Sequence, residues 1–160
     1  MILPFLISNG MLKIYQDPTN YTEVNGLVEK INLLKHIGVI YTQITSTNYV
    51  KYIEKEYNVL YNEAFTINTK NCGKFNREHT HVDYEMQLVT HGVGKFCINV
   101  HNTIYELTVS ANDFICIPAK TKHWFDAGPD LNFSAIRFFN SPKRWIARNT
   151  GSNISTEFKI

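Results

Sequence analysis

Cysteine is scarce in this sequence and poorly placed for cross-links. Its 160 residues include only Cys72, Cys97 and Cys116, and no two of these form a CxxC pair. An odd number without such a pair argues against a disulfide framework and against a zinc site built from thiolates. We therefore expect reduced thiols in a cytoplasmic protein, with Cys97 and Cys116 as small core residues.

Long apolar runs and blocks of like charge are also missing. The longest apolar run near the start, residues 2–7, is interrupted by Pro4, and no basic region precedes it. It is too short to span a membrane. Sixteen basic against fourteen acidic residues leave a net charge of +2, which is too small to indicate a nucleic-acid partner. The sequence thus predicts no membrane segment and no nucleic-acid partner.

Met11 is a second possible start of translation, in place of Met1.

The residues that are abundant favour one folded domain rich in β structure. Hydrophobic residues make up 44% and aromatic residues 13% of the chain, which is typical of a globular protein with β strands or an aromatic-walled pocket. We expect a single domain over residues 1–160. It comprises a central β core (71–140), an N-terminal extension of helices and strands packed on that core (1–70) and a C-terminal tail (141–160).

The pattern along the chain changes near residue 70. Before it, periodicity predicts short strands at 12–15 and 39–44, a helix from Thr22 to Ile37 that stops at Gly38, and a second helix over 48–60. After it, the pattern predicts a series of short strands, as in a sandwich or small barrel. These strands cover residues 85–90, 94–101, 103–109, 113–118 and 132–139.

Candidate metal ligands concentrate between residues 79 and 85. His79, His81 and Glu85 have equal parity, so an extended chain would aim all three at one point. Two imidazoles and a carboxylate bind metals with open coordination positions, and His123 could supply a fourth ligand from a later strand. An isolated HxH more often marks surface or core histidines. Here, however, Gly73 and Gly92 bracket the segment in the pattern G-x5-H-x-H-x3-E-x6-G.

This segment and a second one, residues 112–123, resemble the paired motifs of the cupin superfamily. The resemblance implies a mainly β fold, a double-stranded β-helix or jelly-roll barrel, with two or three flanking helices in the N-terminal part. The second motif departs from the superfamily pattern, because Asn112, Lys120 and Ala127 replace two glycines and an asparagine. Asn tolerates left-handed backbone geometry, whereas Lys120 is expected to shift its loop.

The chain further resembles acireductone dioxygenase, most strongly over residues 74–151. The similarity lies in four segments: Glu78–His81, His123–Pro129, Ala135–Phe139 and residues 145–147. Members of this family are methionine-salvage enzymes that bind one Fe(II) or Ni(II) ion through three His and one Glu. They cleave an enediol ketone with O2, to a 2-oxo acid and formate with iron, or to a shorter acid, formate and carbon monoxide with nickel.

The resemblance assigns roles residue by residue. It implies that His79, His81, Glu85 and His123 are the metal ligands. It implies that Phe75, Phe125 and Trp145 are substrate-pocket residues and that Arg137 stabilises anionic charge. On the residues alone, phenylalanines such as Phe75 and Phe125 are more often plain barrel core, and Trp145 is also explained as a cap on the barrel mouth. The partners implied are a small molecule and O2, and we expect a monomer.

One departure from the family lies beside the ligands. The family usually carries an arginine two residues after the ligand Glu, where this chain has Gln87, and an acidic residue just before that Glu, where it has Tyr84. A neutral amide donates hydrogen bonds but brings no positive charge. These changes indicate a diverged paralogue that either acts on a different enediol or diketone or does slower chemistry. Lys120 or Lys122, near His123, is a candidate for a replacement cation.

Three kinds of protein remain possible from the sequence. The first is an acireductone-type dioxygenase that uses Fe(II) or Ni(II), with Gln87 and Arg137 acting on the substrate. The second is a cupin isomerase or oxygenase of a specialised biosynthetic pathway. The third is not an enzyme: a small-molecule sensor or an inert zinc site, although three His and one Glu suit open octahedral metals at least as well.

Overall fold

A computed structural model describes residues 10–141 and 146–158 of the chain. This part is mainly β. The strands are β1 (Leu12–Asp17), β2 (Asn20–Val24), β3 (Ile40–Gln43), β4 (Tyr61–Thr66), β5 (His79–Thr80), β6 (Glu85–Val100), β7 (Thr103–Ser110), β8 (Asp113–Ile117), β9 (Lys122–Asp126), β10 (Phe133–Phe139) and β11 (Arg148–Asn149). The helices are α1 (Leu27–His36), α2 (Tyr49–Glu56) and α3 (Ile154–Glu157), with a 3-10 turn at Cys72–Lys74.

The strands form two antiparallel sheets that share β6. One sheet has the order β11-β5-β9-β6-β7-β1-β2, and in the other β6 lies between β10 and β8, which are flanked by β4 and β3. The first half of β6 pairs with β8 and β10, and its second half with β7 and β9. This arrangement confirms the predicted mainly β jelly-roll barrel, with two helices in the N-terminal part. A third, short helix lies near the other end.

The long strand β6 bends at Gly92, where it passes from one sheet to the other. Gly92 has φ +78°, and a Cβ there would collide with the carbonyl oxygen of Asn132. The pairing with β10 shifts register between Ser134 and Ala135 at the same level, which is the signature of a β-bulge. The prediction of two strands broken around residues 91–94 was therefore wrong, because glycine lets a single strand turn this corner and continue into the second sheet.

The main core lies between the two sheets and follows the alternation of the strands. Phe96 and Ile98 of β6 point inward, and Leu107 and Ile115 meet them from β7 and β8, all fully buried. Each such side chain contributes roughly 1.5–3 kcal/mol when it leaves water. This core holds β6 rigidly from both sides. Glu85, the first residue of β6 and a predicted metal ligand, therefore has a fixed position.

The N-terminal part contributes strands to the sheets as well as helices. β1 pairs with β7, β3 with β8 and β4 with β10, so this segment is built into the barrel rather than only packed on it. The helix predicted from Thr22 begins at Leu27 instead. Residues 20–24 form a hairpin with β1, because the Asp17 carboxylate accepts the backbone N–H groups of Thr19 and Asn20 and closes the turn.

The second helix also differs in extent from its prediction. It covers Tyr49–Glu56 rather than 48–60, and Asn58 just beyond it has φ +51°. The following residues pair with β10 as β4, a long-range contact that local periodicity does not reveal. No helix in the described ranges combines the length and the apolar character that crossing a membrane requires.

Candidate metal centre

Four buried side chains converge where the two sheets meet. They are His79, His81, Glu85 and His123, and one potential ligand atom from each lies within 4.8 Å of the others. His79 of β5 is directly opposite His123 of β9, and Glu85 is the first residue of β6. The antiparallel pairing of distant segments therefore brings together the predicted set of four residues that could hold a metal ion.

The three ligands of the first motif do not lie on one continuous strand. β5 ends at Thr80, and the chain bends at residues 82–83 before β6 begins. His81 lies between β5 and this bend, and its carbonyl oxygen accepts the backbone N–H of Lys120 at 2.8 Å. Equal parity thus predicted the correct residues, but His81 lies outside the strands and is held by a backbone hydrogen bond from the loop at Lys120.

Asn112 and Lys120, which replace two glycines of the superfamily motif, both have the positive φ angle that glycine adopts easily. Asn112 has φ +76° and Lys120 has φ +62°. This was expected for Asn112, whereas Lys120 keeps the left-handed conformation despite its Cβ. Its backbone N–H donates to the carbonyl oxygen of His81 and helps to hold this conformation, so the loop supports a candidate ligand.

Each histidine of the cluster has one ring nitrogen next to a backbone carbonyl. The Nδ1 atoms of His79, His123 and His81 lie 2.7 Å from Arg77 O, 2.8 Å from Thr121 O and 3.3 Å from Ile146 O, respectively. When Nδ1–H donates to a carbonyl, Nε2 is left as the lone-pair atom that faces the cluster. This is the tautomer and orientation that carbonyls impose on metal-binding histidines.

His79 provides the clearest sign that the cluster fits a cation. Its side chain is 3% exposed, and among the described residues Nε2 has no hydrogen-bond partner. Burial and the neighbouring His123 lower the pKa of His79 to about 4. A neutral imidazole with a buried, unsatisfied lone pair suits a metal ion, because an unsatisfied polar atom is otherwise costly.

Glu85 supplies the negative charge of the cluster. Its Oε2 lies 2.5 Å from His123 Nε2 and 3.2 Å from His81 Nε2. Burial alone would raise the pKa of Glu85, but His123 and His81 hold it well below its usual value. Burial would lower the pKa of His123, and Glu85 raises it instead. The opposite directions of these two pKa shifts show that the buried carboxylate favours a positive charge beside it.

Gln87 and Arg137 occupy opposite positions on neighbouring strands. They are Cα partners on β6 and β10. Gln87 is buried, and its Nε2 donates to Glu85 Oε1 at 2.6 Å. The Arg137 guanidinium lies over the ring of Phe65, 4.0 Å from its centroid. Burial lowers the pKa of Arg137, although Glu63 and Glu85 counteract the shift.

A cavity of about 600 Å³ opens beside His79 and Arg137. Its lining consists of Asn71, Gly73, Lys74, Phe75, Arg77, His79, Arg137, Ile146, Ala147 and Asn149. Phe75 thus lies where a pocket residue was predicted. Trp145 falls outside the described residues.

Three other predicted neighbours of the site lie elsewhere. Phe125 is in the core, with its ring centroid 4.7 Å from Phe96 and 4.5 Å from Phe133, and it does not line this cavity. Lys120 and Lys122 are exposed and do not line it either. Neither lysine therefore replaces the cation missing at position 87.

Several residues around the site were not predicted from the sequence. Lys74, Arg77 and Asn149 line the cavity; the first two flank Phe75 in the segment that leads to the ligands, which was a usable signal. Glu78 is buried and accepts hydrogen bonds from Asn99 Nδ2 at 2.7 Å and Thr150 Oγ1 at 2.8 Å. These bonds fasten β11 and the tail beside β5, and only the folded structure reveals them.

Known proteins similar in sequence to this chain include bacterial acireductone dioxygenases. The chain is 43% identical over 86 residues to an acireductone dioxygenase of Cronobacter sakazakii, and 44% identical over 85 residues to that of Aquifex aeolicus (strain VF5). These matches cover 54% and 53% of this chain, and 48% and 46% of the relatives. The matched part thus spans about half the length of these relatives.

A solved structure and a family pattern extend the match over most of the chain. The structure is an acireductone dioxygenase from Bacillus anthracis with a cadmium ion in its active centre, which aligns with a TM-score of 0.75 at 19% identity. The alignment covers 86% of this chain and 96% of the other. The sequence model of the ARD/ARD' family matches residues 16–147. The cluster on β5, β6 and β9 thus sits in a chain that belongs to the ARD/ARD' family.

Proposed function

We propose that this chain is a metal-dependent dioxygenase that cleaves an acireductone-type enediol ketone with O2. The example in its family is 1,2-dihydroxy-3-keto-5-methylthiopentene of methionine salvage. The observation that carries the proposal is the cluster of three buried imidazoles and one carboxylate beside an open cavity. In such a cluster a metal ion can keep coordination positions open for a substrate.

The residues present fit an Fe(II) or Ni(II) ion, one per chain. His79, His81, Glu85 and His123 would hold it, since their nitrogen and carboxylate donors suit both metals. A bound ion would supply a Lewis acid that orients the enediolate of the substrate and leaves its carbon framework open to O2. The cytoplasmic location and the monomeric state belong to this proposal.

The side chains of the site would bind and orient the substrate. The half-buried Arg137 guanidinium faces the cavity from β10, and at low dielectric it would stabilise the negative charge of an enediolate. Phe75 forms an apolar wall beside it and restricts water. Gln87 fixes Glu85 through Oε1 and keeps Oε2 directed at the histidines.

The reaction balances without a further oxidant. An enediol R–CO–C(OH)=CHOH and O2 give R–CO–COOH and HCOOH, with both oxygen atoms of O2 incorporated and the carbon–carbon bond of the enediol cleaved. The alternative products R–COOH, HCOOH and CO have the same atom count. Product analysis therefore distinguishes the two outcomes once the metal is known.

Full-length protein purified without affinity tag or chelator tests the proposal. We expect about one Fe or Ni ion per chain by elemental analysis. After anaerobic reconstitution with Fe(II) or Ni(II), we expect oxygen uptake with an acireductone and release of formate. Zinc at full occupancy together with no oxygen uptake by the reconstituted protein would overturn the dioxygenase assignment.

A second candidate is a diverged cupin oxygenase or isomerase that acts on a different small molecule. Gln87 favours it, because this buried position beside Glu85 carries no charge. The Gln87→Arg variant tests whether this departure separates the chain from its relatives. If turnover of the methylthio acireductone does not rise in this variant, Gln87 is not the cause of the divergence.

A further inference from the structure

We infer that Glu78 is a positioning residue of the candidate metal centre. Its buried carboxylate binds Thr150 and thereby holds residues 146–150 beside β5, where the carbonyl of Ile146 orients the ring of His81. The role of this centre rests on the proposed function. The inference adds a residue outside the four candidate ligands on which both metal binding and substrate binding depend.

The Glu78 carboxylate is buried and uses both of its oxygens. It is 1% exposed, and it accepts hydrogen bonds from Asn99 Nδ2 through Oε2 at 2.7 Å and from Thr150 Oγ1 through Oε1 at 2.8 Å. Among the described residues it forms no ion pair. A buried carboxylate is unfavourable unless hydrogen bonds stabilise it, and bonds to an ionised acceptor are the stronger kind. Both bonds are therefore strong contacts.

Asn99 fastens one side of this carboxylate to the barrel. It lies in β6, where it pairs with β7 on one side and with β9 on the other. Its Oδ1 accepts the backbone N–H of Asn102 at 3.0 Å, in the turn that follows β6. This bond directs the amide nitrogen of Asn99 toward Glu78. The Glu78 carboxylate therefore has a fixed position from which it can hold a less rigid segment.

Thr150 is the partner on the other side, directly after β11. Its backbone N–H donates to the carbonyl oxygen of Glu78 at 3.1 Å, and β11 pairs with β5 through only two residues. Residues 146–150 are all exposed, so this segment itself buries little apolar surface. A segment with few buried contacts opens easily unless hydrogen bonds hold it. The bond from Thr150 Oγ1 to Glu78 should therefore decide how firmly the segment is held.

His81 depends on this segment more than the other two histidines of the cluster do. Its Nδ1 lies 3.3 Å from the carbonyl oxygen of Ile146, which is 65 residues away in the chain. The carbonyls beside His79 and His123 belong to residues only two positions earlier. When the segment moves away, His81 loses the carbonyl of Ile146, whereas His79 and His123 keep theirs.

Substitutions at Thr150 test the inference at an exposed residue. Thr150→Val removes the hydroxyl at nearly constant volume, and Thr150→Ser keeps it. In full-length protein loaded with diamagnetic Zn(II), proton–nitrogen NMR follows the exchange of the ring Nδ1–H protons with water. In Thr150→Val we expect the His81 proton to exchange about 10-fold faster, because one hydrogen bond to a charged group changes local opening by about this factor. The His79 and His123 protons should be unaffected, and Thr150→Ser should behave like the wild type.

Binding measurements show whether the segment matters to the site. Anaerobic calorimetry should give an affinity for Ni(II) about 10-fold lower in Thr150→Val than in the wild type. Ala147 and Asn149 line the cavity, so in the metal-loaded protein a loosened segment should raise KM for an acireductone by about 5-fold. We expect kcat to stay within about 2-fold, because this wall contributes equally to binding the substrate and its transition state.

Thr156→Val is the matched control in the same part of the chain. Thr156 is also exposed, and its hydroxyl also donates to a carbonyl, that of Asn153, at 2.7 Å. It lies in α3, however, and makes no described hydrogen bond to Glu78. This variant should keep the wild-type proton exchange, Ni(II) affinity and KM.

Glu78→Gln identifies the carboxylate as the origin of the effect. The amide replaces one acceptor oxygen with a donor, so this variant should reproduce the changes seen in Thr150→Val. The double variant should be no worse than Glu78→Gln alone, because both substitutions break the same bond. Additive effects would show that Thr150 acts independently of Glu78, which contradicts the inference. If Glu78→Gln does not fold, Thr150→Val decides alone.

The outcomes separate the inference from the function beneath it. Wild-type exchange of the His81 proton together with wild-type Ni(II) affinity in Thr150→Val overturns the inference and leaves the dioxygenase intact. Equal acceleration at all three histidines overturns it too, since that would be a general loosening of the site. Absence of oxygen uptake in every metal-loaded protein overturns the dioxygenase. In that case proton exchange and Ni(II) affinity still decide whether Glu78 positions His81, since neither depends on turnover.

Discussion

At the scale of single residues, Gln87 has the most specific effect on the metal cluster. Its amide occupies one oxygen of Glu85, which leaves the other to face His81 and His123. We predict that Gln87→Leu weakens Ni(II) binding by about 10- to 100-fold, because the loss of a side chain that orients a ligand has effects of this size. Anaerobic titration calorimetry on the metal-free protein measures the change.

The control for this prediction is Gln16→Leu. Gln16 lies on β1 and is exposed, so the same substitution there should leave the Ni(II) affinity unchanged. Circular dichroism of both variants checks that the barrel is folded. A Gln87→Leu protein that binds Ni(II) like the wild type would show that Glu85 needs no orienting hydrogen bond.

The candidate ligands could be predicted from the sequence, and their surroundings could not. His79, His81 and Glu85 lie close together in the chain, so local spacing and a known motif suffice to identify them. The carbonyls that orient the rings belong to residues 77, 121 and 146. The last is 65 residues from His81, and such a contact exists only after folding.

At the scale of elements, the bend of β6 decides whether the ligand strand stays in place. Gly92 has φ +78°, and a Cβ would collide with Asn132 O. We predict that Gly92→Ala lowers the free energy of unfolding by about 3–5 kcal/mol, through backbone strain and overpacking together. Urea denaturation followed by tryptophan fluorescence measures this loss.

Gly128 offers a matched control for the same substitution. It has φ +74°, but no atom lies within 4 Å of the position that a Cβ would occupy. Gly128→Ala should therefore lower the free energy of unfolding only by the strain of the left-handed backbone, about 1–2 kcal/mol. Equal losses in the two variants would show that the contact with Asn132 does not hold the bend.

The elements with a clear local hydrophobic pattern were predicted well, and those defined by distant partners were not. The residues of β7 and β8 carry their own pattern, and both strands match the expected ranges within one residue. β4 was not predicted as a strand, β9 was expected only as a later strand of unstated bounds that carries His123, and β5 has only two residues. Their ladders with β10, β6 and β9 are contacts between distant parts of the chain, to which a local window is insensitive.

At the scale of the whole molecule, the distribution of charge is more informative than its sum. A net charge of +2 gives no reason to expect a polyanionic partner, and it gives no indication of the basic cavity either. The acidic residues that balance the total lie elsewhere, for example Glu106, which pairs with Lys95 at 3.4 Å. Composition therefore limits the kinds of macromolecular partner, whereas the preference for a small molecule depends on which side chains line one cavity.

The metal cluster should also govern the stability of the whole fold. It joins β5, β6 and β9 at the meeting point of the sheets, so an ion that binds only the folded chain shifts the unfolding equilibrium. We predict that Ni(II) at about 100 times its dissociation constant stabilises the protein by about 2.7 kcal/mol. For a chain of this size the melting temperature should rise by about 5–10 °C.

Calorimetric scans with Ni(II) and after removal of Ni(II) by a chelator measure the shift, and two histidine variants locate it. His79→Ala removes a ring that faces the cluster and should abolish the shift. His91→Ala removes an exposed ring on β6 outside the cluster and should retain it. Because both variants lose an imidazole, non-specific binding of Ni(II) to surface histidines would change them alike. A shift that survives His79→Ala would place the stabilising ion at a site other than the four converging residues.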